Sequence, residues 1–160
     1  MDSLSVRQRN LPHWELRGAT YFITFRLQYP IHAYAALTQE EREVVKRAVL
    51  FWHETRWHVH ILTVMPDHVH ILATPSEALS GTPSTLPTIL QSVKGYSARA
   101  INQIRGRKGK FWQTESFDRI VRNHAEYDEK ANYILNNAAK AGLVEDCWCY
   151  DGFWYDTEAQ

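Results

Sequence analysis

The chain has 160 residues, 44% of them apolar and 22% charged, with 18 basic and 18 acidic side chains and no net charge. That length predicts one domain spanning 1–160, able to bury roughly two-thirds of its unfolded surface without disulfide staples. The opening MDSLSVRQRN lacks an apolar leader core and no run approaches membrane-spanning length, so a soluble, cytoplasmic protein is expected rather than a secreted or membrane one.

Residues 1–17 read as an N-terminal arm. TYFITFRL (20–27) alternates, with Tyr21, Ile23, Phe25 and Leu27 on one face and Thr20, Phe22, Thr24 and Arg26 on the other. That is the pattern of a strand with one buried side. Thr38 stands three before Glu41, a capping box, and Val44, Val45, Ala48, Val49 and Trp52 make a helical stripe, which predicts a helix over 39–54. Two apolar, β-branched runs at 57–65 and 68–74 flank Met-Pro-Asp and predict a hairpin. EALSGTPSTLP (77–87) is a loop, and a second helix is predicted over 87–104. GRKGK (106–110) is a basic turn, and 111–121 reads as a broken fourth strand. Asn123 caps a last helix over 124–141, which stops at Gly142.

Charge is uneven along this order. Lys94 to Arg122 holds eight Lys/Arg against two acids, a balance of +6, whereas 145–160 is an acidic tail with five acids and neither Lys nor Arg. A basic middle suits a polyanion, although a charge cluster is also the ordinary dress of a solvated face. Cys147 and Cys149 stand in C-W-C with no second pair to complete a zinc site, so two reduced thiols are expected.

Strand, helix, strand, strand, helix, strand is the split β-α-β order of ferredoxin-like folds. The expected architecture is therefore α+β, a four-stranded antiparallel sheet whose central pair is the first and third strands. Two helices cover one face, and the third helix is free to cover the other.

The pentad HVHIL occurs twice, at 58–62 and 68–72. His68 and His70 follow the turn on the central strand, and residues two apart on a strand share a face, at a spacing that suits one cation. A hydrogen-bonded pair is the plainer alternative. A Pro-Asp turn core pairs position i with 133−i, which places His58 and His60 on the opposite side from His68 and His70, at the far end of the hairpin, as structural residues. Tyr133 and Asn137 are four apart on the last helix, stacked on one face, so the amide could complete a metal shell beside the phenol. Tyr96 and Tyr127 are followed four on by alanine and bring no ligand with them.

MPDHVHIL followed by YILNNAAKAGLV resembles the single-tyrosine HUH endonucleases, the insertion-sequence transposases. RNLPHWELRGATYFITFRL and FWQTESFDRIVR are similar to the REP-associated tyrosine transposases, and the resemblance runs from about Arg9 to Val144. It implies that His68 and His70 are the metal pair, Asn137 the third ligand and Tyr133 the nucleophile, with Mg²⁺ or Mn²⁺ as the cofactor. One departure is visible: such proteins commonly place proline after the ligand asparagine, where this chain has Ala138.

The implied reaction is cleavage of single-stranded DNA at palindromic, hairpin-forming repeats, through a 5′-phosphotyrosine that another 3′-hydroxyl can reverse. A free phenol titrates near ~10, so a divalent cation is needed to offset charge in the transition state. Asp67 either orients a histidine or simply forms the turn. Arg7, Arg9 and Arg17 of the arm and Lys94, Arg99, Arg105, Arg107, Lys108 and Lys110 of the basic stretch are candidate phosphate contacts. Phe111 and Trp112 are either core or base-stacking platforms. The alternative functions are a catalytically silent hairpin-binding protein and an unrelated metal hydrolase or histidine-containing binding domain. Monomer and homodimer both remain open.

Overall fold

The computed structural model describes residues 18–28, 36–76 and 85–158 in full, and residues 4–8 and 12–16 as backbone. The elements are β1 (Leu4–Gln8), β2 (Pro12–Leu16), β3 (Tyr21–Arg26), α1 (Gln39–Phe51), β4 (Trp57–Val64), β5 (His68–Pro75), α2 (Leu86–Arg105), β6 (Phe117–Ile120), α3 (His124–Lys140) and β7 (Phe153–Tyr155). A single 3₁₀ turn spans Cys147–Cys149. Among the described residues no helix is long and apolar enough to cross a membrane.

The main sheet is antiparallel, in the order β6-β3-β5-β4-β7. β3 and β5 pair inside it, as the element order predicts, with Thr24 opposite His70 and Arg26 opposite His68. The inward faces of β3, β4 and β5 (Ile23, Phe25, Leu62, Val64, Val69 and Ile71) pack on Val45, Ala48 and Val49 of α1 and Ile89, Val93 and Ile101 of α2. Burying each such aliphatic side chain contributes about 1.5–3 kcal/mol, which makes this layer the main apolar core. α3 crosses the other face on a thinner stripe, where Ile134 packs with Phe22, Ile61 and Leu72.

The helix boundaries have local causes. At α1 the Thr38 side chain accepts from Glu41 N at 3.2 Å while Glu41 Oε2 accepts from Thr38 N at 3.0 Å. At α3, Asn123 Oδ1 accepts from Glu126 N at 2.8 Å, and the helix gives way two residues before Gly142, whose φ of 74° is a left-handed conformation that glycine adopts without strain.

Four expectations need correction. The sheet has five strands, because Phe153–Tyr155 of the acidic tail pairs with the open edge of β4, Thr63 lying opposite Phe153. Within 111–121 only Phe117–Ile120 is a strand; Trp112 makes an isolated bridge to Leu27 and is buried with Phe111 in the main core. The N-terminal arm contains an antiparallel hairpin, β1 with β2. Finally, the β4–β5 register follows the i and 133−i rule from Val64↔Val69 to Ile61↔Leu72, then slips by one residue at a bulge between Val59 and Ile61. The extra residue turns His60 and His58 onto the α3 face, the same face as His68 and His70 rather than the opposite one. The contacts agree, since the His60 ring lies 5.5 Å from Tyr127 of α3 and Val59 is in the opposite core.

Candidate active site

Met65-Pro66-Asp67-His68 closes the β4–β5 turn, with Met65 N donating to His68 O at 2.8 Å. His68 and His70 then leave β5 on the α3 face, their rings 4.6 Å apart at 73°. Asp67 Oδ1 lies 2.6 Å from His68 Nδ1. A carboxylate only accepts, so Nδ1 carries a proton and, in the neutral ring, Nε2 holds the lone pair. Asp67 therefore orients a histidine as well as forming the turn, a carboxylate–histidine arrangement of the kind that supports metal ligands.

His70 is 3% exposed and Thr24 Oγ1 lies 2.7 Å from its Nδ1. Its Nε2 is buried without a hydrogen-bond partner. The tautomer that donates from Nδ1 to Thr24 leaves an unfilled lone pair at Nε2, whereas the other tautomer would bury an orphaned N–H, the costlier defect. Burial, then the neighbouring His68 and Arg26 charges, push the His70 imidazole down to about 3, so it is neutral at ordinary pH. Two imidazoles on one face, one of them with a buried vacant lone pair, fit a divalent cation.

α3 brings the nucleophile candidate to this pair. The Tyr133 ring lies 5.2 Å from the His70 ring at 72°, and Tyr133 is 45% exposed. Phe22 of β3 ties the group together, stacked on His70 at 5.5 Å and edge-on to Tyr133 at 5.9 Å. Asn137, half-buried, follows Tyr133 by one turn on the same flank. Thr24 and Phe22 have no motif of their own; only the β3–β5 register places them beside His70.

The basic residues are placed unequally. Arg99, Arg107, Lys108 and Lys110 are exposed. Lys94 Nζ donates to the Gln113 carbonyl at 2.6 Å and to Ser116 Oγ at 3.2 Å, tying α2 to the loop before β6. Arg105 binds Glu41 at 2.6 and 2.7 Å and the Ala36 carbonyl at 3.1 Å, so it clamps α1 to α2. Arg7 lies in β1, where backbone alone is described, and Arg9 and Arg17 lie outside the described residues. The basic loop is anchored near the site, since Gln113 N donates to Arg26 O at 2.8 Å and Arg26 is the register partner of His68. A cleft of about 830 Å³ opens between α2 and this loop, lined by Lys94, Gly95, Lys110 and Trp112 among others.

A second histidine cluster sits at the far end of β4. One atom each from His53, Glu54, His58 and Asp156 lies within 4.8 Å of the others, close enough to share an ion. Proton accounting favours a hydrogen-bonded network instead. His53 Nδ1 accepts from Val59 N at 3.0 Å, so the proton is on Nε2, which faces Glu54 Oε1 at 3.3 Å. His58 bonds Glu54 through Nδ1 and Asp156, at 2.9 Å, through Nε2. Every ring nitrogen of the cluster already has a partner, unlike Nε2 of His70.

A family profile described as "Transposase IS200 like" matches residues 23–137. Among solved structures, the chain is similar to a REP-associated tyrosine transposase bound to a REP hairpin, with 18% identity, 91% of this chain and 82% of that chain covered, and a TM-score of 0.72. It is also similar to a proposed transposase from Deinococcus radiodurans R1, with 22% identity, 73% and 88% covered, and a TM-score of 0.49, too loose a likeness to bear on the fold. No curated protein matches the chain.

Proposed function

Since the chain belongs to the IS200-like transposase family of DNA-cleaving enzymes and has the fold of a REP-associated tyrosine transposase, we propose that it cuts and rejoins single-stranded DNA at hairpin-forming palindromes through Tyr133. The solved structure of like fold is bound to such a hairpin, which supports this choice of substrate.

The Tyr133 oxygen attacks the scissile phosphorus. The new Oη–P bond forms as the P–O3′ bond breaks, leaving a 5′-phosphotyrosine and a free 3′-hydroxyl. The phenolic proton leaves and the departing 3′-oxygen gains one, so the exchange is balanced without ATP. His68, His70 and the Asn137 amide are the residues to hold a divalent ion; when bound, it polarises a phosphate oxygen at the reacting centre. Asp67 and Thr24 fix the two imidazoles through their Nδ1 atoms, which leaves the Nε2 atoms for the ion. Arg99, Arg107, Lys108 and Lys110 supply exposed cations for the hairpin backbone. Arg105 and Lys94 hold the elements that carry them.

The observation that carries this reading is the placement of the Tyr133 ring 5.2 Å from a histidine whose inner nitrogen has no partner. The test is incubation with hairpin oligonucleotides bearing single-stranded flanks and Mn²⁺, followed by a denaturing gel. A covalent protein–DNA adduct, lost in Tyr133→Phe, is the expected result. An adduct that persists in Tyr133→Phe removes Tyr133 from its role, and no adduct with any hairpin substrate overturns the enzyme reading.

A further inference from the structure

One charged side chain of α3 points into the same group of rings and has no part in the chemistry so far. Lys130 precedes Tyr133 by three residues and Asn137 by seven, which puts all three on one flank of the helix. Its ammonium lies 5.1 Å from the centre of the Phe22 ring, the ring that also stacks on His70 at 5.5 Å and meets Tyr133 edge-on at 5.9 Å. Phe22 is only 6% exposed, and the Lys130 side chain is 23% exposed. Among the described residues its ion-pair contact is Glu129 at 3.5 Å, a neighbour in sequence that is 72% exposed and screened by water.

The electrostatics of this placement are specific. A cation over a buried aromatic face is held by the ring quadrupole and has part of its hydration removed. It is therefore preorganised for an incoming anion, and an ordered cation at the point where charge develops acts more strongly than one in bulk water. A side chain needed only to cover Phe22 could be leucine or methionine. Lysine adds a charge one helical turn before Tyr133, over the ring that Tyr133 also meets.

We propose that Lys130 is a further catalytic residue of the strand-transfer reaction, its ammonium binding a non-bridging oxygen of the phosphate that Tyr133 attacks. The inference rests on the strand-transfer reading above. Lys130 keeps its protons throughout: the Oη–P bond forms, the P–O3′ bond breaks, the phenolic proton passes to solvent, and the 3′-oxygen takes a proton from solvent. The ammonium offsets the negative charge that accumulates on the phosphoryl oxygens in between.

The test uses the full chain, a hairpin oligonucleotide with single-stranded flanks, and Mn²⁺. Lys130→Met keeps an unbranched apolar stem over Phe22 and removes the charge; Lys130→Arg keeps the charge. Single-turnover adduct formation at saturating DNA is expected to slow by about 10²-fold in Lys130→Met. Hairpin affinity, measured separately on an uncleavable oligonucleotide, should stay within about threefold, since one phosphate contact among several is lost. Lys130→Arg should recover to within about tenfold of the wild-type rate, because a guanidinium also binds phosphate oxygens. A Lys130→Met protein that cleaves at the wild-type rate overturns the proposal. So does equal slowing of both variants with a matching drop in melting temperature, which would mark a packing role. If the wild-type chain forms no adduct, the strand-transfer reading fails and this assignment with it; wild-type adduct with an unaffected Lys130→Met sinks the lysine alone.

Discussion

Tyr133 and His70 lie ring against ring, 5.2 Å apart and inclined at 72°, although one stands on the last helix and the other on the middle strand of the sheet. Topology makes the contact. β5 occupies the centre of the sheet, and α3 crosses the face that α1 and α2 leave open, anchored by Ile134 on Phe22, Ile61 and Leu72. The hydroxyl of a half-exposed tyrosine adds little to that packing. Tyr133→Phe should therefore leave the urea midpoint nearly unchanged, within about 0.5 kcal/mol in stability, while covalent adduct with hairpin DNA disappears. A large loss of stability in this variant would show that the phenol is a structural group.

Loss of a support and loss of a histidine itself should have different effects. Asp67→Ala removes the acceptor 2.6 Å from His68 Nδ1 and frees that ring to rotate. The Mn²⁺ concentration for half-maximal adduct formation should rise by about 10–100-fold, with the maximal rate partly recovered at high Mn²⁺. His70→Ala removes the proposed ligand itself and leaves a cavity beside Phe22, so adduct should be absent at every Mn²⁺ concentration and the fold should lose about 1–3 kcal/mol. Unaltered Mn²⁺ dependence in Asp67→Ala would mean that Asp67 acts only in the turn.

The periodic elements were readable from sequence because each signal is local. The Thr38–Glu41 capping box, the alternation of 20–27 and the Asn123 cap all stand where their spacing puts them. The β3–β5 pairing followed from chain order alone, and with it the face that carries His68 and His70. What stayed hidden depends on contacts between distant segments. The bulge that reverses His60 has no glycine to announce it, and β7 is three residues of an acidic tail that acquire strand pairing only because β4 offers a free edge. Arg105 reads as one more cation of a basic run until α1 places Glu41 against it. Thr24 and Phe22 become site residues only through register, and Lys130 only through Phe22.

Gly152 controls whether that fifth strand docks. A Cβ at this position would stand 2.2 Å from the Val64 carbonyl oxygen and 2.6 Å from the Tyr150 ring, both fixed in the fold. Val64 N donates to Gly152 O at 2.8 Å and the Tyr150 hydroxyl donates to Val64 O at 2.6 Å, so the same clash breaks two bonds that hold β7 to β4. Gly152→Ala should destabilise the protein by about 2–3 kcal/mol and raise hydrogen exchange at 61–64 and 153–155. Protection unchanged at those amides would show that the backbone accommodates the methyl without releasing the strand.

His60 gives the fold a dependence on pH. Burial, and after it the neighbouring His58 and His53, push its imidazole down to about 4 against the partial pull of Asp156 in the other direction. Its Nε2 is hydrogen-bonded to Thr74 Oγ1 at 2.8 Å, and Thr74 in turn to Thr20 at 2.7 Å. An unfolded histidine titrates near ~6.5, so below that pH the unfolded chain binds a proton that the folded chain refuses. Stability is therefore fully present above the unfolded value and falls as pH drops towards the folded one. His70, pushed down to about 3, adds a slope of the same sign. Each contributes at most about 1.4 kcal/mol per pH unit. Between pH 6.5 and 5, above the main carboxylate range, His60→Gln should reduce the fall in urea-unfolding free energy by roughly half, because an amide keeps a polar contact to Thr74 and takes no proton. The same slope in wild type and His60→Gln would mean that His60 accepts its proton in the folded chain, in conflict with its burial under Tyr127.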